Sequence, residues 1–542
     1  MKKYLFFLIT VFIFACNNDT VRETEFGKVK GIKESEVIIW YGVPYGKIPT
    51  NDLRWKKPEN PELWRGELDA TEWKGLSLQL NGDEVVGNED CLNLDIYSKV
   101  DANDLPVMVF LHGGNNQTGS TKEIIGTEIV KKNDIVFISV NYRLGLLGFN
   151  NLPALLDKDN NTGNFTLLDI SKALDWIKNN ISEFGGNPQN ITVSGFSAGG
   201  RDVMAMLISP LFKDKFQKAI VFSGGMTIAD ETLSAKKIAK AIAPLLIEDG
   251  KFANKNIAED WLLQSSEDVK DYLYSLSSMR LAKLMGNAGI RMSVFPHLYG
   301  DDISLPKDGF DTKNYNTVPI IMITGTTEFS MFANGDAYFK SDDMKDYSNN
   351  EIEKAKEFSI KYGSKMYGYF NAEASAEKMN NFYKGIPIYL CSINYGDNSS
   401  DYKIPIFGSF HGIFVPMLST ENNYQSIGND IFLSKSYKSM SDVFNKYLKN
   451  FLYYGNPNGE DLPKWENWNL KNPLSLVLDA KNDKFTAESK KLTISYNEII
   501  EEMNNDISIS VELKNKMIKN ILNGRWFSDY MDKYYSNANL WD

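Results

Sequence analysis

A short β-rich run, Ile191-Thr192-Val193-Ser194, leads into Gly195-Phe196-Ser197-Ala198-Gly199-Gly200 and then into a helical pattern from Asp202 to Ile208. A sharp turn between a strand and a helix crowds the backbone. Small flanking residues are therefore needed if the central serine hydroxyl is to stand clear of a sheet. The order strand, tight turn, helix commits this part of the chain to an α/β architecture and makes Ser197 a candidate nucleophile. A bare GxSxG occurs often by chance, so the flanking strand and helix signals give the motif its weight.

The surrounding pattern agrees. From about residue 25 to 225, β-rich runs alternate with helical periodicity, as in a mainly parallel central sheet flanked by helices. Further strands are expected over 107–111, 135–140, 219–222 and 318–323. Leu167, Ile170, Ala173, Leu174, Ile177 and Ile181 recur at helical spacing and should lay one apolar stripe on that sheet. Segments 230–285 and 340–385 are polar and helix-favouring, and read as helical insertions over a sheet edge or mouth. No repeat, long linker or low-complexity block calls for a second domain, so residues 25–542 are expected to form a single catalytic domain.

Composition narrows the function. The chain is 43% apolar, enough for a large core, and its formal net charge of -11 speaks against a nucleic-acid partner, which needs clustered Lys and Arg facing phosphates. At the N-terminus, Lys2 and Lys3 precede the apolar stretch from Tyr4 to Phe14, too short for a comfortable membrane span. Its end, Ile13-Phe14-Ala15-Cys16, resembles a bacterial lipobox. Residues 1–15 are therefore expected to be a lipoprotein-type signal peptide, Cys16 the lipid attachment site and 16–24 a tether, placing the protein in the cell envelope on a bacterial membrane. Only Cys91 and Cys391 remain, so no Cys-rich metal site is available; two buried free thiols are expected rather than one bridge.

Serine is a weak nucleophile until a base takes its proton, and the tetrahedral oxyanion must meet fixed donors. After the run Val107 to Leu111 comes His112-Gly113-Gly114-Asn115-Asn116, a turn able to present backbone N–H groups from Gly114 and Asn115 alongside that of Ala198.

Several ordered motifs carry a resemblance over essentially the whole mature chain: Tyr41-Gly42-Val43-Pro44-Tyr45 with Leu53-Arg54-Trp55, Glu89-Asp90-Cys91-Leu92-Asn93-Leu94, Asn141-Tyr142-Arg143-Leu144-Gly145, Phe184-Gly185-Gly186-Asn187-Pro188 and Gly455-Asn456-Pro457-Asn458. With these the chain resembles the type-B carboxylesterase family, which includes cholinesterases. The resemblance implies an α/β-hydrolase fold, a Ser-Glu-His triad, a small-molecule ester substrate and no cofactor or metal. It also implies that Arg54 with Glu89 and Arg143 with Asp169 are structural ion pairs.

Three histidines can supply the base, and this fold orders its triad serine, acid, histidine. His112 precedes Ser197. His297 lies in a segment that resembles a structural turn of the family, whereas Gly408-Ser409-Phe410-His411-Gly412 resembles its catalytic-histidine loop, so His411 is the expected base. For the acid, the family usually places a carboxylate five residues after a loop glycine; counted without a gap from Gly325 that position is Ser330. A shortened loop that retains Glu328 is preferred, with Asp301, Asp302 and Asp336 as alternatives. Two positions depart from the family pattern together: Phe196 before the nucleophile and Phe414 three residues after the histidine stand where glutamates are frequent. The two rings are expected to line the site jointly. Asn115 replaces the third glycine of the usual HGGG, which puts the geometry of one donor in question. Rival readings are a catalytically silent binding or adhesion module, or a hydrolase of amides, lactones or carbamates.

Overall fold

The computed structural model describes residues 19–156, 161–285, 296–383, 385–422, 424–492 and 494–538. The expected signal peptide and Cys16 lie outside them. The expected tether ends sooner than residue 24, because Val21–Thr24 pairs antiparallel with Gly27–Lys30 and so belongs to the folded body.

An eleven-stranded sheet organises the chain. From one edge its order is Lys484–Lys491, Leu474–Lys481, Ile388–Ile393, Ile320–Gly325, Lys218–Phe222, Gly186–Phe196, Leu105–Leu111, Val136–Val140, Asn93–Lys99, Val37–Pro44 and Ile32–Glu34. The strands from Leu474–Lys481 through Val136–Val140 are mutually parallel, and antiparallel strands close both edges. Each expected strand is present within a few residues of its expected bounds.

Both faces of the sheet are buried, which explains why the central strands are apolar throughout rather than alternating. Val107, Val109 and Leu111 point into one core, where the Phe165–Asn180 helix lays down Leu167, Ile170, Leu174 and Ile177. Met108 and Phe110 point into the other, shared with Phe222, Phe414 and the Lys435–Tyr454 helix. A third apolar cluster unites Phe329, Tyr362 and Tyr367 with Met517, Ile521 and Phe527 from the C-terminal segment. The expected helical insertions are found as Glu231–Glu248, Lys255–Leu262, Glu267–Ser275 and Ser278–Lys283, and as Asn349–Asn371 and Glu373–Asn380. Among the described residues no helix is long and apolar enough to cross a membrane. Cys91 and Cys391 are free and buried.

Candidate active site

Parallel strands that end side by side deliver their following loops to one rim of the sheet. Four such loops matter here: those after Leu105–Leu111, Gly186–Phe196, Ile320–Gly325 and Ile388–Ile393. Ser197 occupies the turn between Gly186–Phe196 and the Ala198–Met206 helix at φ 54° and ψ -113°. A non-glycine residue held there stores about 1–3 kcal/mol of strain. Glycine spacing makes the turn possible: a Cβ on Gly195 would lie 2.2 Å from the Gly199 carbonyl oxygen, and one on Gly199 would lie 2.2 Å from that of Leu111.

Glu328 follows the Ile320–Gly325 strand after two residues and is fully buried. Its Oε1 accepts hydrogen bonds from Ser223 Oγ at 2.5 Å, Thr324 Oγ1 at 3.0 Å and the Gly325 amide at 2.6 Å. Its Oε2 is left for His411 Nδ1, 2.5 Å away. The histidine loop is seated on the acid loop by a hydrogen bond from the Thr327 amide to the Ser409 carbonyl. Gly325 permits this approach, since a Cβ there would lie 2.3 Å from that same oxygen. With three residues from Gly325 to Glu328 the carboxylate still reaches His411, and the alternative acids make other contacts. Asp301 accepts from Ser304 within its own turn and from Asn164 at the start of the Phe165–Asn180 helix, Asp302 faces Lys307, and Asp336 pairs with Arg525 at 3.0 Å. Ser330, at the ungapped position, donates to the Phe407 carbonyl.

His411 Nε2 has no hydrogen-bond partner among the described residues. Together with Ser197 it lines a cavity of about 700 Å³ that Gly113, Gly114 and Asn115 also face. Gly114 has φ 98° and Asn115 φ 58°. Asparagine tolerates the left-handed region better than most side chains, which accounts for the substitution at the third glycine position. The remaining histidines are elsewhere in role. His112 is buried and stacked on Tyr142 with centroids 4.4 Å apart, and burial lowers its pKa to about 4. His297 is buried beside Phe149, and burial holds it well below the ordinary histidine range. The two expected ion pairs are formed, Arg54 to Glu89 at 2.9 Å and Arg143 to Asp169 at 2.6 Å. Among the described residues no cluster of His, Cys, Asp and Glu could hold a metal ion.

Phe196 and Phe414 pack on each other rather than lining the site jointly as expected. Their rings meet edge to face at 5.0 Å, and Phe196 also lies 4.7 Å from the His411 ring. Both are almost fully buried, and Phe196 alone of the two reaches the cavity. A single glutamate at either position would be desolvated without a partner. Phe196→Glu and Phe414→Glu should each lower stability and turnover, and the double variant should be less damaged than the sum, with a coupling of about 0.5 kcal/mol or more. Thermal unfolding and ester turnover across the cycle measure this; strict additivity would mean the rings act separately.

Three contributors carry no motif, two of them from remote segments. Tyr367, in the Asn349–Asn371 helix, stacks on His411 with centroids 5.4 Å apart and meets the Trp526 ring edge to face at 5.7 Å. Burial, the largest influence, raises that phenol's pKa, so it stays un-ionised beside His411. Trp526 brings the C-terminal segment to the cavity wall. Glu123 faces the same cavity, accepts the Gly113 amide at 2.6 Å and is pushed up to about 7 by burial.

A serine on a strand-to-helix turn, an acid and histidine on later loops, and a glycine-rich turn at the same rim define a hydrolase of the α/β type. Comparison with known proteins agrees in fold: a solved PNB esterase structure superimposes with a TM-score of 0.70 at 24% identity, covering 89% of this chain and 99% of that one. The chain belongs to the carboxylesterase family, whose model matches residues 18–383 and 336–496, and family members hydrolyse carboxylic esters. Among its relatives, the para-nitrobenzyl esterase of Bacillus subtilis is 36% identical over 259 residues. That match spans 46% of this chain and about half of the relative, 52%. Carboxylesterase 1D of Rattus norvegicus is 27% identical over 529 residues, covering 86% of this chain and 92% of the relative.

Proposed function

We propose that this chain is a serine carboxylesterase that works through an acyl-enzyme on Ser197, with His411 as base and Glu328 as its orienting acid. One observation carries the reading: His411 is bound through Nδ1 to a buried carboxylate while its Nε2 has no partner among the described residues, and the ring shares a cavity with Ser197.

In this mechanism Ser197 Oγ attacks the ester carbonyl as its proton passes to His411 Nε2. Glu328 fixes the imidazole tautomer and stabilises the imidazolium, while remaining ionised itself. The carbonyl oxygen becomes an oxyanion held by the Gly114, Asn115 and Ala198 amides. Collapse of the intermediate breaks the bond to the alcohol oxygen, which leaves with the proton from His411. Water then attacks the acyl carbon, giving a proton to His411, and a second collapse releases the carboxylic acid and returns the proton to Ser197. The apolar lining from Leu76, Leu80, Met331, Phe332, Tyr424 and Trp526 suits an uncharged acyl or alcohol group. Rapid mixing with an activated aryl ester should give a burst of phenol equal to the enzyme concentration before the steady state. Binding of esters without turnover would instead favour a binding module, and faster cleavage of matched amides, lactones or carbamates would reassign the substrate.

The envelope location is a separate proposal, supported by Ala15-Cys16 ending the apolar run behind Lys2 and Lys3. The wild-type protein should fractionate with membranes, held by acyl chains on Cys16. Cys16→Ser should lose metabolic fatty-acid labelling; labelling that survives the substitution would exclude Cys16 as the anchor.

A further inference from the structure

Two consecutive residues of the glycine-rich turn are joined to two consecutive residues of the helix that follows Ser197. Arg201 Nη2 donates to Asn115 Oδ1 at 2.7 Å, and the Asn116 carboxamide donates to Asp202 Oδ1 at 2.9 Å. All four side chains are buried. The turn supplies the Gly114 and Asn115 amides and the helix begins at Ala198. The paired side chains therefore tie together the two backbone segments that must meet a single oxygen atom.

Arg201 does more than fill space. It is 1% exposed, and its Cζ lies 4.6 Å from the centroid of Trp526, a ring in the cavity wall. Its Nε and Nη1 are buried without hydrogen-bond partners among the described residues. Asp202 follows it in sequence but spends one oxygen on Asn116, and its other oxygen has no hydrogen-bond partner among the described residues. Burial pushes the Asp202 carboxyl up to about 7, which weakens it as a counter-charge at neutral pH. A buried guanidinium with unused donors is unfavourable in the resting protein. In a site of low polarity the same charge becomes favourable when negative charge develops nearby, as it does on the carbonyl oxygen during acyl transfer.

We propose that Arg201 is a positioning residue of the oxyanion hole: acting through the Asn115 carboxamide, it holds the loop amides on the reacting oxygen and supplies a positive charge behind them. The proposal rests on Ser197 being the nucleophile. It separates Arg201 from the groups that touch substrate, because Asn115 and Trp526 stand between its guanidinium and the cavity.

The test compares Arg201→Met, Arg201→Lys and Asn115→Gly in the full chain. The readouts are hydrolysis of an activated aryl ester and inhibition by an aryl trifluoromethyl ketone, whose adduct with serine carries the same negative oxygen. Arg201→Met should lower kcat by about 10–100-fold, near the loss of one oxyanion donor or somewhat below it, with KM within about twofold. Affinity for the ketone should fall by the same factor as kcat/KM. Arg201→Lys should recover part of both losses, since it keeps the charge. Asn115→Gly, which accepts the left-handed backbone without strain, should lose part of the ketone affinity, and adding it to Arg201→Met should cost little more. Ketone affinity at the wild-type level in folded Arg201→Met, or in Asn115→Gly if the methionine variant does not fold, overturns the proposal. A wild-type chain that neither hydrolyses the ester nor binds the ketone would instead defeat the nucleophile assignment beneath it.

Discussion

Ser197→Ala and His411→Ala should each lower hydrolysis of a short activated ester by about 10⁴-fold or more, and combining them should add little. Removing the nucleophile leaves the base with nothing to activate, and removing the base leaves a hydroxyl that is a poor nucleophile at neutral pH, so the two act as a unit. Either variant should keep its fold. Ser197 leaves its turn at a positive φ, which alanine meets at a similar cost, and His411 is packed between Phe196 and Tyr367 rings that can remain in place. Steady-state turnover of the singles and the double measures this; a multiplicative loss in the double variant, or most activity surviving in either single, would contradict the triad.

Glu328→Gln carries the second large effect, a fall in kcat of about 10³–10⁴-fold. The reason lies in how the carboxylate is used. Oε1 accepts from Ser223, Thr324 and the Gly325 amide, so only an oxygen suits that side, and the amide NH₂ of glutamine is forced toward His411 Nδ1. There it donates where the carboxylate accepted, turning the imidazole to the tautomer whose Nε2 carries a proton and cannot serve as base. A circular-dichroism melt close to wild type together with the loss of kcat would place the effect in the chemistry. If the variant turns over normally while Asp301→Asn or Asp302→Asn is impaired, the acid lies elsewhere.

Much of this site was legible in the sequence because its parts are local. The glycines around Ser197, the turn after Leu111 and the loop around His411 each follow a strand or stand in a short motif, so their order along the chain reports their function. Glu328 was harder. Its distance from Gly325 differs from the family pattern, and only the contacts to Ser223, Thr324 and Ser409 show why the shorter loop still reaches the histidine. Tyr367, Trp526 and Glu123 were not legible, because each arrives from a segment whose composition reads as ordinary helix or loop. Arg201 and Asp202 sat within the nucleophile motif and were still missed. A charged pair on the first turns of a helix reads as solvent-facing, and only the fold brings Asn115 and Asn116 to it across 86 residues of sequence. The edge strand Lys484–Lys491 escaped for a simpler reason: its partly polar sequence carries little apolar signal.

Incubation of the purified chain with a fluorophosphonate, followed by intact-mass analysis and peptide mapping, tests the central claim most directly, since it reports activation of one hydroxyl without requiring the natural ester. The account predicts one phosphonyl group per chain, carried by Ser197, with labelling abolished in Ser197→Ala and strongly slowed in His411→Ala. A folded wild-type chain that remains unlabelled, or labelling that persists undiminished in Ser197→Ala, would contradict it.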